Sequence, residues 1–122
     1  MRKITTEAGL GQEISLFIGQ AAVIASEDLK VKFIDVISDS RCPRGAICVW
    51  EGEASCLIEI TNEGYIFRKV LTQPGLSGPA KTSLIGYKIA FDLHPYPETG
   101  RTTNKQDYHL GLVISQGTGA LW

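Results

Sequence analysis

The sequence predicts an all-β fold, namely a single-domain antiparallel β-sandwich of immunoglobulin-like type with about seven strands. Three observations lead to this prediction. Apolar residues recur at every second position in most apolar segments, clusters of glycine, proline and asparagine separate these segments, and no segment has the period of a helix. The 122 residues have the length of one domain, so we expect one domain over 1–122 with its core at 12–116 and short tails at both ends.

The N-terminal part of the chain predicts three strands. The first runs from Ile14 to Ile18, where apolar side chains alternate on one face. Gly19 then permits a tight turn into a second strand at 21–26. The third strand is predicted at 30–38, where β-branched residues are frequent.

The C-terminal part predicts four more strands. A short turn containing glycine joins two of them into a hairpin, and two proline-containing loops separate the others. In order, we expect a strand at 54–61, a turn at 62–64, a strand at 65–72, a loop at 73–80, a strand at 85–93, a loop at 94–105, a strand at 108–115 and a tail that ends in Leu121 and Trp122. The core between the sheets should contain Ile58, Ile60, Ile89, Phe91, Leu110 and Leu112.

Composition argues against two kinds of partner. Twelve basic and 13 acidic residues give a net charge of −1 without any concentrated positive segment, so we expect no nucleic-acid partner. No apolar run reaches the length of a membrane span.

The start of the chain resembles the basic region of a signal peptide, but Glu7 and Glu13 interrupt the adjoining segment, so we expect no clear signal peptide in this chain.

The segment "DSRCPRGAICVWEG", residues 39–52, is the most unusual part of the sequence. Cys42 and Cys48 are close enough in sequence for a disulfide that closes a short loop, in which Pro43 fixes φ and Gly45 permits a chain reversal. We favour this disulfide and expect Cys56, on the apolar face of its strand, to be a buried thiol. A disulfide requires an oxidising compartment.

Two other interpretations of the cysteines are open. A tetrahedral zinc site would need further ligands from Cys56, His94 or His109, whose spacing is not that of a zinc motif. Redox catalysis usually requires two cysteines separated by two residues at a helix N-terminus, which this segment lacks. We therefore expect no metal and no cofactor.

The other residues of the segment have identifiable physical roles. Asp39 and Ser40 are residue types that cap backbone N–H groups in turns. The guanidinium of Arg41 can bind a carboxylate or several carbonyls, and Trp50 is large enough to cover one end of the core. Gly52 permits a close backbone approach where the next strand begins.

The extended segment "DSRCPRGAICVWEGEA" resembles a signature of small, uncharacterised bacterial and archaeal proteins, many of them described as hypothetical proteins or lipoproteins. The resemblance covers most of residues 12–115 and implies a β-sandwich exported to the cell envelope or the extracellular space, with no activity attached. The signature falls on Asp39, Ser40, Arg41, Cys42, Pro43, Cys48, Trp50, Gly52 and Ala54.

We expect a non-catalytic binding or accessory module, with no catalytic residues, that acts through the loops near 39–52 on an unknown protein or small-molecule partner. In this hypothesis the rigid loop presents Arg44. The alternative function is a protease inhibitor that presents Arg44 on the loop closed by Cys42 and Cys48, since a preorganised loop loses little entropy on binding. Two further possibilities are a purely structural crossover and ligand binding at aromatic residues, namely Trp50, Tyr87 and Tyr96.

Overall fold

Two β-sheets pack face to face in the computed structural model, which describes residues 5–75 and 79–117. The described residues form nine strands and two 3-10 turns. In chain order the strands are β1 (Thr5–Glu7), β2 (Glu13–Phe17), β3 (Ala21–Ile24), β4 (Leu29–Asp39), β5 (Glu53–Asn62), β6 (Tyr65–Pro74), β7 (Ala80–Leu84), β8 (Tyr87–His94) and β9 (His109–Gln116), and the 3-10 turns are Ala25–Glu27 and Lys105–Asp107. The predicted all-β sandwich is confirmed.

The two sheets differ in how the chain builds them. The first sheet has the order β1-β3-β4-β5-β6, in which β3 to β6 follow one another as antiparallel neighbours. The second has the order β2-β9-β8-β7, so β2 pairs with β9 from the other end of the described chain. The strands β1 and β3 run parallel, which the sequence did not predict.

The chain crosses between the sheets at Gly19. The turn predicted there is present, but β2 and β3 belong to different sheets and do not form a hairpin. The Gly19 N–H donates to the Phe33 carbonyl at 2.7 Å, and the Phe33 N–H donates to the Gln20 carbonyl at 2.9 Å. Ile14 of β2, in the second sheet, and Ala22 of β3, in the first sheet, are both buried. The chain on either side of Gly19 therefore contributes to the core from both sheets.

The prediction of about seven strands is too low, because β1 and β7 were missed. β1 is three residues long and fully exposed, so it has no apolar alternation. β7 forms a hairpin with β8, and Ile85, predicted to begin a strand, lies in the connecting turn at φ 45°. Ile85 has the same parity as Tyr87 and Ile89, which is why alternation extended the predicted strand through the turn.

One hydrophobic core fills the space between the sheets. The inward residues of β4 and β5 meet those of β8 and β9, and the fully buried thiol of Cys56 lies among them. All six predicted core residues are buried, each with at most 3% of its surface exposed, which confirms Ile58, Ile60, Ile89, Phe91, Leu110 and Leu112. The predicted hairpin at 62–64 is also confirmed.

Two predictions concern the C-terminal tail and the 73–80 loop. Leu121, Trp122 and the middle of the 73–80 loop lie outside the described residues. In the part of that loop that is described, β6 extends to Pro74 and β7 begins at Ala80.

Among the described residues, no helix is long and apolar enough to cross a membrane.

Candidate functional site

The segment between β4 and β5 begins as an extension of their hairpin. The Ser40 N–H donates to the Glu53 carbonyl at 2.8 Å, and the Cys42 N–H donates to the Glu51 carbonyl at 2.9 Å. The Ser40 hydroxyl also accepts from the Glu53 N–H at 3.2 Å. These bonds give Ser40 the capping role that its residue type predicted.

Arg41 is the buried centre of the segment, with 3% of its surface exposed. Its Nε and Nη2 donate to the two carboxylate oxygens of Asp39, each at 2.8 Å. Its remaining donors reach the second sheet, with Nη1 bonded to the Leu93 carbonyl at 2.8 Å and Nη2 to the Pro95 carbonyl at 3.1 Å. The guanidinium therefore binds a carboxylate and two carbonyls together, and it links the two sheets at this end of the sandwich.

Asp39 is held as an anion by this arrangement. It also accepts hydrogen bonds from the Tyr108 hydroxyl at 3.0 Å and from the Arg41 backbone N–H at 3.3 Å. Burial raises the pKa of Asp39, but the hydrogen bonds and positive charge of Arg41 outweigh it, so the pKa lies below the usual 3.8. Burial and the Asp39 charge raise the pKa of Tyr108 to about 12. The Asp39–Arg41 pair and Tyr108 thus form a closed polar cluster that is satisfied internally.

Cys42 and Cys48 form the predicted disulfide, with an S–S distance of 2.09 Å and Cα atoms 6.0 Å apart. Both sulfurs are therefore used in a covalent bond, which removes them as ligands for the zinc interpretation. Among the described residues no group of three histidine, cysteine or acidic side chains is placed to hold a metal ion. Cys56 is a free, buried thiol, and burial raises its pKa to about 12, so it stays protonated at neutral pH.

Gly52 occupies the close backbone approach that the sequence predicted. Its φ is +71°, and a Cβ atom there would lie 1.8 Å from the Ser40 carbonyl oxygen. Gly75, at the end of the neighbouring β6, has a similar constraint, since its Cβ would lie 2.1 Å from the Glu51 carbonyl oxygen. Two glycines therefore let three backbone segments pack against one another at the base of the loop.

Trp50 does not cover the core, and this prediction is wrong. The indole is 59% exposed, because the buried Arg41 and Tyr108 already close this end of the sandwich. Two neighbours are exposed even more fully, Ile47 at 104% and Val49 at 103%. We call these three side chains, Ile47, Val49 and Trp50, the apolar tip.

Sequence reasoning missed the role of Ile47 and Val49 in this tip. They lie on either side of Cys48, and their alternation resembles that of ordinary strand residues. The available signal was that this short apolar run lies between Gly45 and Gly52, inside a segment too constrained by its disulfide to reach the core.

The side chain of Arg44 is exposed, but its backbone is not free. The guanidinium is 69% exposed and lies 3.8 Å from the Glu98 carboxylate. The Arg44 N–H donates to the Pro97 carbonyl at 3.0 Å, and the Arg44 carbonyl accepts from the Thr99 N–H at 3.0 Å, as in a parallel β-bridge. The Tyr96 hydroxyl adds a 2.7 Å bond to the Cys42 carbonyl. The disulfide loop is thus fixed to the 95–101 loop of the second sheet.

The other aromatic candidates do not form a common platform with Trp50. Tyr87 begins β8 and donates its hydroxyl to Glu27 at 2.9 Å, whereas Tyr96 follows the far end of β8 and contacts Arg41 and Arg44. The structure does bring together the two histidines, which are far apart in sequence.

His94 and His109 are cross-strand neighbours on the outer face of the second sheet, with ring centroids 5.0 Å apart.

The resemblance to small prokaryotic proteins remains a prediction. No protein-family model, curated protein or solved structure matches this chain.

Proposed function

We propose that the protein is a non-catalytic binding module that recognises a protein partner with the apolar tip of its disulfide-closed loop. The observation that carries the proposal is the exposure of Ile47, Val49 and Trp50 on one constrained loop. Adjacent exposed apolar side chains of this size mark interaction surfaces more often than isolated ones do. Tryptophan is also among the residue types that contribute most to protein interfaces.

The loop is preorganised for binding. The disulfide closes it, the bridge between Arg44 and the 97–99 backbone holds one side, and Gly52 packs against Ser40 at its base. A loop already held in its bound shape loses little conformational entropy on association. These contacts explain why the tip can stay exposed without collapsing onto the sandwich.

The shape of the tip favours a protein over a small molecule as the partner. Small molecules bind in concave sites that enclose most of their surface, and Ile47 and Val49 project outward. Burying each of these two side chains contributes roughly 1.5–3 kcal/mol, whereas association itself costs about 4–15 kcal/mol. The tip alone is therefore insufficient, and the partner must also contact adjoining polar groups, among which the exposed Arg44 is the nearest cation in sequence.

The inhibitor alternative has one observation in its favour and one against it. The exposed side chain of Arg44 on a disulfide loop favours it. A substrate-like inhibitor, however, lays its backbone along a strand of the protease and needs free N–H and carbonyl groups there. Both backbone groups of Arg44 are already bonded to the 97–99 segment, so the interaction-module proposal has the stronger support.

The test compares two double variants, each of which replaces a pair of exposed apolar residues with serine. The variant Ile47→Ser/Val49→Ser changes the tip, and the matched control Tyr65→Ser/Ile66→Ser changes exposed residues at the other end of the β5–β6 hairpin. Each protein, with its disulfide intact, is used to capture partners from an extract of its native source. We expect one partner to be captured by the wild type and the control and lost with the tip variant.

Capture that is equal for all three proteins would contradict the proposal. Inhibition of trypsin that Arg44→Ala abolishes would establish the alternative instead. Equal melting temperatures for the two double variants would show that any loss of capture comes from the surface and not from unfolding.

A further inference from the structure

A second feature lies on the outer face of the second sheet, outside the apolar tip. A cleft of about 480 Å³ crosses β2, β9 and β8. The strand register places its residues in rows, with Ser15, Gly111 and Asp92 in one row and His109 and His94 in the next. Because β2 and β8 flank β9, Ser15 and Asp92 face each other across roughly 10 Å, which is twice the spacing of neighbouring strands.

Gly111 forms the floor of this cleft, and the fold does not require a glycine there. Its backbone is not in the left-handed region, and the atoms nearest to a Cβ atom there would be the Asp92 carbonyl oxygen at 3.5 Å and His94 Nε2 and Cδ2 at 3.8 and 3.9 Å, which are ordinary contacts. By contrast, Gly52 could not accept a Cβ atom. A glycine inside a central strand weakens the sheet and often marks a place where a ligand approaches the backbone closely.

The walls of the cleft carry hydrogen-bonding groups held in place by other residues. Asp92 accepts from the buried Gln73 amide at 2.6 Å through Oδ1, and its Oδ2 lies 3.5 Å from His94 Nε2. His94 stacks on His109, and His109 in turn contacts Phe17 with ring centroids 5.4 Å apart. The imidazole edge of His94 is therefore fixed above the glycine floor.

The charges of the cleft disfavour an anionic ligand. The described residues that line it include the carboxylates of Glu13 and Asp92 but no lysine or arginine. The two carboxylates lie on different strands and different rows of the sheet, so one ammonium group would not reach both. Carboxylates accept hydrogen bonds, whereas serine hydroxyls and neutral imidazoles both donate and accept. A ligand with several hydroxyl groups fits this set.

We propose that this cleft binds a neutral saccharide, with the sugar ring over Gly111 and its hydroxyl groups bonded to Asp92 and His94 on one side and to Ser15 and Glu13 on the other. Gly111 is half-buried and has no side chain to hold the ring away from the sheet, and the small side chain of Ala90 leaves room beside it. The site is independent of the apolar tip, so either proposal can fail alone.

The test is an NMR titration of the intact, disulfide-bonded protein. The quantity measured is the backbone amide chemical shift of Gly111 and its neighbours. The probes are glucose, N-acetylglucosamine, maltotriose and cellotriose, with inorganic phosphate and ethanolamine as ionic probes. We expect saturable shifts at the cleft with at least one saccharide and none with phosphate or ethanolamine.

Two variants on β9 separate binding from folding. Gly111→Ala adds a methyl group to the floor and should weaken saccharide binding by about tenfold, as one methyl group does in other fitted sites. Its melting temperature should equal or exceed that of the wild type, because alanine fits the strand better than glycine does. Ser115→Ala, on the same face of β9 but outside the cleft lining, should change neither quantity.

Three results would overturn the proposal. The first is the absence of saturable shifts at the cleft with all four saccharides. The second is saturable binding of phosphate or ethanolamine there in place of a saccharide. The third is saccharide binding that Gly111→Ala leaves unchanged, since the ring would then not lie over the glycine.

Discussion

Replacing Arg41 with methionine should destabilise the fold by about 3–5 kcal/mol, the range observed when one partner of a buried ion pair is removed. Methionine retains much of the side-chain volume, so the loss comes from charge and hydrogen bonding. The substitution removes two bonds of 2.8 Å to Asp39 and leaves that carboxylate, whose side chain is only 10% exposed, with the Tyr108 hydroxyl as its side-chain partner. It also leaves the Leu93 and Pro95 carbonyls without their donor.

The assay is urea unfolding at pH 7, monitored by circular dichroism, and thermal melting, in which this loss corresponds to roughly 10–20 °C for a domain of this size. Arg44→Ala is the matched control and should change stability by less than about 0.5 kcal/mol, because the Arg44 side chain is exposed. The double variant Asp39→Asn/Arg41→Met should recover part of the loss, because it no longer buries an isolated charge.

The pH dependence has a definite sign. Because the folded state lowers the pKa of Asp39 below 3.8, the stabilisation is fully present above that pH and is lost as the pH falls through the folded-state pKa. The difference between the wild type and Arg41→Met should therefore shrink in acid. An Arg41→Met protein that unfolds within about 1 kcal/mol of the wild type at pH 7 would refute the reasoning, since it would show the ion pair to be replaceable by packing alone.

Three further predictions test other parts of the structure. Gly52→Ala should prevent or severely impair folding, whereas Gly64→Ala, at a position that also has a positive φ but has open space around it, should cost only about 1–2 kcal/mol in a melting comparison. Trp50→Ala should cost less than about 1 kcal/mol in urea unfolding, because most of the indole is exposed. Stability should fall between about pH 9 and 12, as Cys56 and Tyr108, both with pKa values raised to about 12, lose their protons more easily in the unfolded chain than in the folded one.

Each of these has an outcome that contradicts it. Equal stability of the two glycine variants would mean that the backbone at Gly52 moves away from Ser40. A loss of several kcal/mol on Trp50→Ala would place the indole inside the protein after all. Unchanged stability up to pH 12 would contradict the burial of Cys56 and the bond between Tyr108 and Asp39.

Alternation of apolar residues carried most of the fold prediction. It works for β5, β8 and β9 because each has one face on the core and one in solvent, and Ile58, Ile89 and Leu110 are buried as expected. It fails at Ile85, which lies in a turn but falls at an odd-numbered position like the apolar residues of β8. It also fails at β1, which has no apolar face. The sheet in which a strand lies depends on pairing distant in sequence, so the crossing at Gly19 had no local signal.

The candidate site was predicted in its parts and missed in its arrangement. The disulfide, the capping by Ser40 and the multiple bonding of Arg41 follow from residue chemistry, and they are present. The exposure of Trp50 depends on Arg41 and Tyr108 having already filled the end of the core, which only the three-dimensional packing reveals. The cleft over Gly111 likewise requires the register of three strands.

The pairing of β2 with β9 has a consequence for the order in which the protein can fold during its synthesis. The strands β3 to β6 emerge consecutively and can pair as they appear, since each neighbours the next in the first sheet. β2 emerges before them, but its partner in the second sheet, His109–Gln116, is the last described strand to emerge. Until then Ile14 and Leu16 have no strand to pair with, and only the β7–β8 hairpin can cover the apolar face of the first sheet. The species most exposed to aggregation is therefore an incomplete sandwich whose lifetime is set by the arrival of the last described strand.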